Sequence, residues 1–137
     1  PVKNALDLKG KTIGVQNATT GQEAAEKLFG KGEHIKKFET SVVAIMEMLN
    51  GGVDAVITDN AVANEYVKNN PDKKLQVIED PDNFTSEYYG IIFPKDSDLK
   101  AKVDEALKNI IENGKYTEVY KKWFGIEPNI ENLKQQQ

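Results

Sequence analysis

Residues 11–28 read KTIGVQNATTGQEAAEKL, and this stretch decides the fold. Thr12 to Val15 is a short strand of buried character, Gln16-Asn17-Ala18 is a tight polar loop, and a helix opens beyond it. Thr19 with Gln22, or Thr20 with Glu23, fits the capping box of a hydroxyl residue three positions before Gln or Glu. Ala24, Ala25, Leu28 and Phe29 then recur at helical spacing. A strand that feeds a helix through such a loop leaves backbone N–H groups at the positive end of the helix dipole, where a carboxylate or phosphate can be held. Two hydroxyls and Gly21 are on hand to help. The plainer alternative is that Thr19 or Thr20 only caps its own helix.

The pattern repeats outward. His34 to Phe38 is a second strand, and Thr40 or Ser41 caps a helix with Val42, Ile45, Met46 and Leu49 on one face, Met46 filling core space. Asn50-Gly51-Gly52 stops it. Residues 53–58, VDAVIT, form a third strand, continuous enough in apolar character to be buried on both faces, with Asp54 structural within it. Asp59 stands at its carboxyl end and opens a helix over 60–69, with Val62, Tyr66 and Val67 inward and Pro71 closing it. Residues 75–78 read as a fourth strand. Strands alternating with helices in this way give βαβ units around a mostly parallel sheet. Ligands of such sheets sit outside the carboxyl ends of the strands. The loop 16–21 and Asp59 should therefore meet at one edge of the sheet, a convergence that capping alone does not require.

The last third differs. Residues 88–94, YYGIIFP, read as a strand closed by proline. Ser97 or Asp98 caps an amphipathic helix carrying Leu99, Val103, Ala106, Leu107, Ile110 and Ile111. After Asn113-Gly114, a second helix carries Tyr116, Val119, Tyr120, Trp123 and Phe124. This large apolar surface needs a partner. The tail 128–137 reads as frayed.

Composition excludes several classes. The 137 residues suit one domain or slightly more, and no apolar run is long enough to cross a membrane. A net charge of -4 leaves no basic patch for nucleic acid. With no cysteine and one histidine, His34, placed in an exposed charged turn, a zinc site or a Ser-His-Asp triad has little to work with. The acidic loop 79–83 reads as solvated, since it lacks the spacing and glycine of a calcium loop. No signal peptide or lipid-anchor sequence is expected at Pro1-Val2-Lys3-Asn4. The abrupt start suits a mature product or a piece of something longer.

Four segments in order, DLKGKTIGVQNATTG, GGVDAVITD, YYGIIFPKDSDLKAKVDEAL and GKYTEVYKKWFG, resemble the polar amino-acid solute-binding proteins of ABC importers (family 3 type). The likeness is greatest to the arginine/lysine/histidine-binding members. It implies an α/β architecture: one periplasmic-binding-protein type II-like lobe, a mostly parallel sheet flanked by helices, plus a C-terminal strand and two helices of the other lobe. Residues 1–87 would be the second lobe with a leading hinge segment, 88–127 the return strand and terminal helices of an incomplete first lobe, and 128–137 a tail. The resemblance also implies that the N-terminal part of the first lobe is absent. Binding by this chain alone would then be weak or lost, and the face of 99–124 would be open to self-association.

The resemblance assigns roles too. Thr19, Thr20 and Gly21 would hold a ligand α-carboxylate, Thr20 foremost. Asp59 would hold the α-ammonium, in a charge-assisted hydrogen bond worth about 1.5–3 kcal/mol. Gln16 would line the side-chain end. No catalytic residue, metal or cofactor is implied. The partners are arginine, lysine or histidine and an ABC permease in the membrane, and the location is extracytoplasmic, periplasmic or lipid-anchored at the cell surface. Two rival readings are an enzyme on the same fold, cyclohexadienyl-dehydratase-like, which needs a further acid or base, and a flavodoxin-like signalling or scaffold module, which needs an acidic cluster with a lysine.

Overall fold

The structure, a computed structural model, describes residues 2–136. It divides into two compact units, residues 1–87 and 88–137.

Unit 1 is built on a three-stranded parallel sheet of β1 (Ile13–Gln16), β2 (Ile35–Phe38) and β3 (Ala55–Ile57), in the order β2-β1-β3. Ile13 lies opposite Ile35 on one side and Ala55 on the other, so the first strand in sequence is the central one. Each strand runs into a helix: α1 (Thr20–Phe29), α2 (Ser41–Leu49) and α3 (Asn60–Asn69). Alternation along β1 sorts its side chains. Ile13 and Val15 are fully buried and pack with Ala25 of α1 and with Ile35, flanked by Leu8, Phe29, Ala55 and Ile57. Gly14 faces the other way. A Cβ there would come within 3.2 Å of Val53, 3.3 Å of Phe38 and 3.4 Å of Ala44, so the bare glycine lets α2 lie close on that face.

A polar contact ties the two ends of unit 1 together. Asp80 is buried and accepts from the Ala5 N–H at 2.7 Å and from the Asn83 side chain at 2.8 Å. The Ala5 bond above all holds its carboxyl below the usual range. Glu26 is lowered likewise by Lys37, 3.0 Å away, and by the Gln22 amide.

Several expectations are corrected in unit 1. The inward face of α2 is Ser41, Ala44, Ile45 and Met48, one residue out of step with the expected set. Met46 is 52% exposed, and Val42 and Leu49 are exposed with it. Small residues let the helix approach the sheet, and an apolar count alone could not choose between two overlapping stripes. The strand at β3 is only half-buried, because it is an edge strand here. Residues 75–78 form no strand, since β3 has no further ladder partner among the described residues. His34 is half-buried, its Nε2 3.2 Å from the Phe29 carbonyl. Asp80 is the exception to a solvated acidic loop.

Unit 2 contains α4 (Leu99–Glu112), α5 (Lys115–Phe124) and α6 (Ile130–Lys134). Gly114, at φ +83°, makes the turn between α4 and α5. Tyr120 and Phe124 pack with ring centroids 4.4 Å apart, and Ile111, 7% exposed, is the one buried hydrophobic residue described in this unit. Residues 88–94 are not a strand: Tyr89 is 89% and Ile92 95% exposed, on a segment with no neighbouring strand among the described residues. The expected frayed tail instead forms α6, capped by the Asn129 side chain on Asn132 N–H at 3.0 Å.

Candidate functional site

A parallel sheet delivers every strand's carboxyl end to the same edge, and the helix that follows starts there. In unit 1 this brings the N-termini of α1, α2 and α3 to one rim. Between them lies a cavity of about 200 Å³ lined by Gln16, Thr19, Thr20 and Gly21 from the first crossover, Ser41 from the second, and Thr58, Asp59 and Val62 from the third. The five residues singled out from sequence, Gln16, Thr19, Thr20, Gly21 and Asp59, thus lie together. Ser41, Thr58 and Val62 were missed as site residues. Ser41 and Thr58 stand at the carboxyl ends of β2 and β3, so the strand-end rule applied to every crossover would have found them.

The two threonines play different parts. Thr19 is the N-cap of α1: its hydroxyl accepts from Gln22 N–H at 3.3 Å and donates to the Gln16 carbonyl at 2.8 Å. The Gln22 amide oxygen reaches back to Ala18 N–H at 2.9 Å, a shifted form of the capping box. Ala18 sits at φ +57°, left-handed for a residue with a Cβ, so the loop holds mild strain at the rim. Thr20 is not needed as a cap, and its hydroxyl donates to the Glu87 carboxylate at 2.8 Å. The first-turn N–H groups of Thr20 and Gly21 have no carbonyl behind them in the helix to accept. Gly21 also has a packing reason, since a Cβ there would lie 3.3 Å from the Ile57 carbonyl oxygen.

Gln16 is fixed by a relay. The Thr58 hydroxyl donates to Ser41 Oγ at 2.8 Å, and Ser41 donates to Gln16 Oε1 from its hydroxyl at 3.1 Å and its N–H at 3.2 Å. A backbone N–H can only donate, so the atom facing it is the amide oxygen, and Gln16 keeps its NH₂ for the cavity. Asp59 occupies the N-cap position of α3 without making a side-chain capping bond to that helix, and it is exposed at the cavity wall. Asp54, by contrast, accepts from Thr12 N–H at 2.8 Å and ties β3 to the start of β1.

The result is a bipolar cavity. Helix N-termini, the free N–H groups and the Gln16 NH₂ favour an anion on one side, and Asp59 favours a cation on the other. Its volume is below the roughly 300–1,000 Å³ of complete small-molecule sites, enough for the charged head of a zwitterion but not for a long side chain as well. Asp59 is the one ionisable side chain in the lining. Among the described residues no group of three His, Cys, Asp or Glu could hold a metal.

Comparison with known proteins bears on the family and the fold. The family model for bacterial extracellular solute-binding proteins, family 3, matches residues 5–126. A probable histidine-binding protein of Neisseria gonorrhoeae is 39% identical over 129 residues, covering 92% of this chain and 48% of that protein. ABC transporter arginine-binding protein 1 of Escherichia coli is 31% identical over 124 residues, 89% of this chain and 51% of that one. Among solved structures, the arginine-, lysine-, histidine-binding protein ArtJ from Geobacillus stearothermophilus is 86% identical with a TM-score of 0.79, covering 98% of this chain and 58% of that one. The chain therefore spans about half the length of the curated relatives it matches.

Proposed function

The chain belongs to the bacterial extracellular solute-binding proteins of family 3, with the periplasmic-binding-protein type of fold, and on that premise we propose that it is the substrate-binding component of an ABC amino-acid importer. The ligand is a polar, basic L-amino acid, captured by hinge closure and passed to a membrane permease outside the cytoplasm. This reading takes residues 1–87 as one lobe of the trap and 88–127 as the return crossing and terminal helices of the other. The remaining cleft surface, with the walls around the ligand side chain, would correspond to the part of the relatives' length outside the match. The exposed side of α5 around Val119 and Trp123 is where that part would pack.

The observation that carries the reading is the bipolar cavity. The N–H groups of Thr20 and Gly21 take the α-carboxylate, aided by Thr20 Oγ1 and the Gln16 NH₂, and Asp59 takes the α-ammonium. Thr19 contributes by fixing the loop. The basic character proposed for the ligand is supported by the relatives named for arginine and histidine rather than by this half of the site. Catalysis is not part of the proposal. The lining offers one carboxylate and no second acid–base group, where an enzyme on this fold would need one. Family membership replaces the flavodoxin-like alternative.

The test is an amide-resolved NMR titration with L-arginine, L-lysine, L-histidine and L-glutamine, which detects weak binding. L-Arginine should move the amides of 16–21 and 58–60 together. Agmatine, which lacks the carboxylate, should leave 19–21 unmoved, and Asp59→Asn should reduce the response to every amino acid. Amide shifts spread over the surface, or none at millimolar ligand, would refute the assignment.

A further inference from the structure

The Thr20 hydroxyl has one proton, and it is already given away. Thr20 Oγ1 donates to Glu87 Oε2 at 2.8 Å, across 67 positions of sequence, while the Thr19 proton goes to the Gln16 carbonyl. Neither hydroxyl of the pair can then donate to an incoming carboxylate without losing a partner. The Thr19 bond belongs to the α1 cap and holds the loop. The Thr20 bond is exposed, joins two side chains, and sets a carboxylate at the N-terminus of a helix, where negative charge is favoured. We propose that Glu87 is an internal stand-in for the ligand carboxylate, holding the Thr20 hydroxyl in the empty site and surrendering it when an amino acid binds.

This rests on the ligand assignment above and deepens it. Glu87 is the last residue of unit 1, and the chain passes directly from it into unit 2. Releasing its side chain therefore frees the residue that precedes the connection. Occupancy of the cavity and restraint of residue 87 become mutually exclusive, so each opposes the other by the same factor. An amine without a carboxylate has no claim on Thr20 and leaves the bond in place. Glu87 is a positioning residue here, and it touches the hydroxyl rather than the ligand.

The test is a double-mutant cycle on the full chain with Glu87→Ala, Thr20→Val and the pair, titrated with L-arginine and with agmatine. Removing the competitor should tighten L-arginine roughly two- to fivefold, the range for an exposed charge at a helix terminus. In the Thr20→Val background the same Glu87 change should have no effect, because the contested hydroxyl is gone. That second arm excludes simple charge repulsion, which would act whether or not residue 20 carries a hydroxyl. Agmatine affinity should not rise. Equal L-arginine affinity with and without Glu87, or a gain that survives in Thr20→Val, would overturn the stand-in and leave the binding function intact. Failure of L-arginine to bind any variant would overturn both.

Discussion

Unit 1 and unit 2 are made from similar material and end differently. Both carry amphipathic helices with good stop signals, and their helix boundaries follow the Gly and Asn positions closely. Unit 1 has a sheet to bury those helices on, and Ile13, Val15, Ala25 and Ala44 are all removed from solvent. Among its described residues unit 2 has helices and no strand, and apart from Ile111 its apolar residues stay half-covered or exposed: Trp123 is 58% exposed, and Val119 and Leu99 are exposed too. Periodicity decides whether an element forms, and the presence of a partner decides whether its apolar face does anything for stability. The cavity lies in the unit that has such a partner layer.

The largest effect should come from Ile13→Ala. Truncating this fully buried central-strand residue should cost unit 1 about 2–5 kcal/mol. In urea, the unit 1 amide signals should vanish at lower denaturant while the fluorescence of Trp123 keeps its midpoint. If both midpoints fall together, the units unfold as one and the contrast fails. Acid should come next. Asp80, Glu26 and Asp7 all have lowered pKa values in the folded chain, so the stability they confer is complete above the ordinary carboxylate range. It is lost as pH falls from about 4 through their depressed values. Thermal melts from pH 6 to pH 2 should show unit 1 weakening over that window, and Asp80→Asn should flatten part of the slope.

Gly21→Ala should be smaller, about 1 kcal/mol, since the new methyl presses on the Ile57 carbonyl at 3.3 Å. It should also shift the amides of 19–21, which a substitution at Gly125, facing open space, would not. The smallest effect belongs to Trp123→Ala. At an exposed position it should change the stability of this chain by less than about 0.5 kcal/mol, read by urea denaturation followed by circular dichroism. A loss of several times that size would show that α5 is packed in solution, by self-association or otherwise, and concentration dependence would separate those cases.

What was legible in the sequence follows the same line. Helices α1, α2 and α3 and their caps could be read because hydroxyl, Asp and Gly signals are local. The convergence of Gln16, Thr19, Thr20, Gly21 and Asp59 could be read because parallel topology alone places strand ends together. The strands at 75–78 and 88–94 were misjudged because a strand is defined by its neighbour, and their apolar composition says nothing about whether one exists. Met46 was misjudged because the sheet accepts Ala44 and Ser41 at close range, a fit set by Gly14 on the opposing strand. The different fates of Thr19 and Thr20 were out of reach, since the partner that separates them, Glu87, lies 67 residues away.

The order β2-β1-β3 has a consequence for how the protein is made. A ribosome releases β1 first, yet β1 is the strand that needs a neighbour on each side, and the second of these ends at Ile57. The nascent chain can wind α1 and cap it, but the hydrophobic layer cannot close until residue 57 has emerged. During that wait Ile13 and Val15 are displayed on an unpaired strand. The protein's innermost residues in the finished state are therefore among those longest exposed to chaperones during its birth.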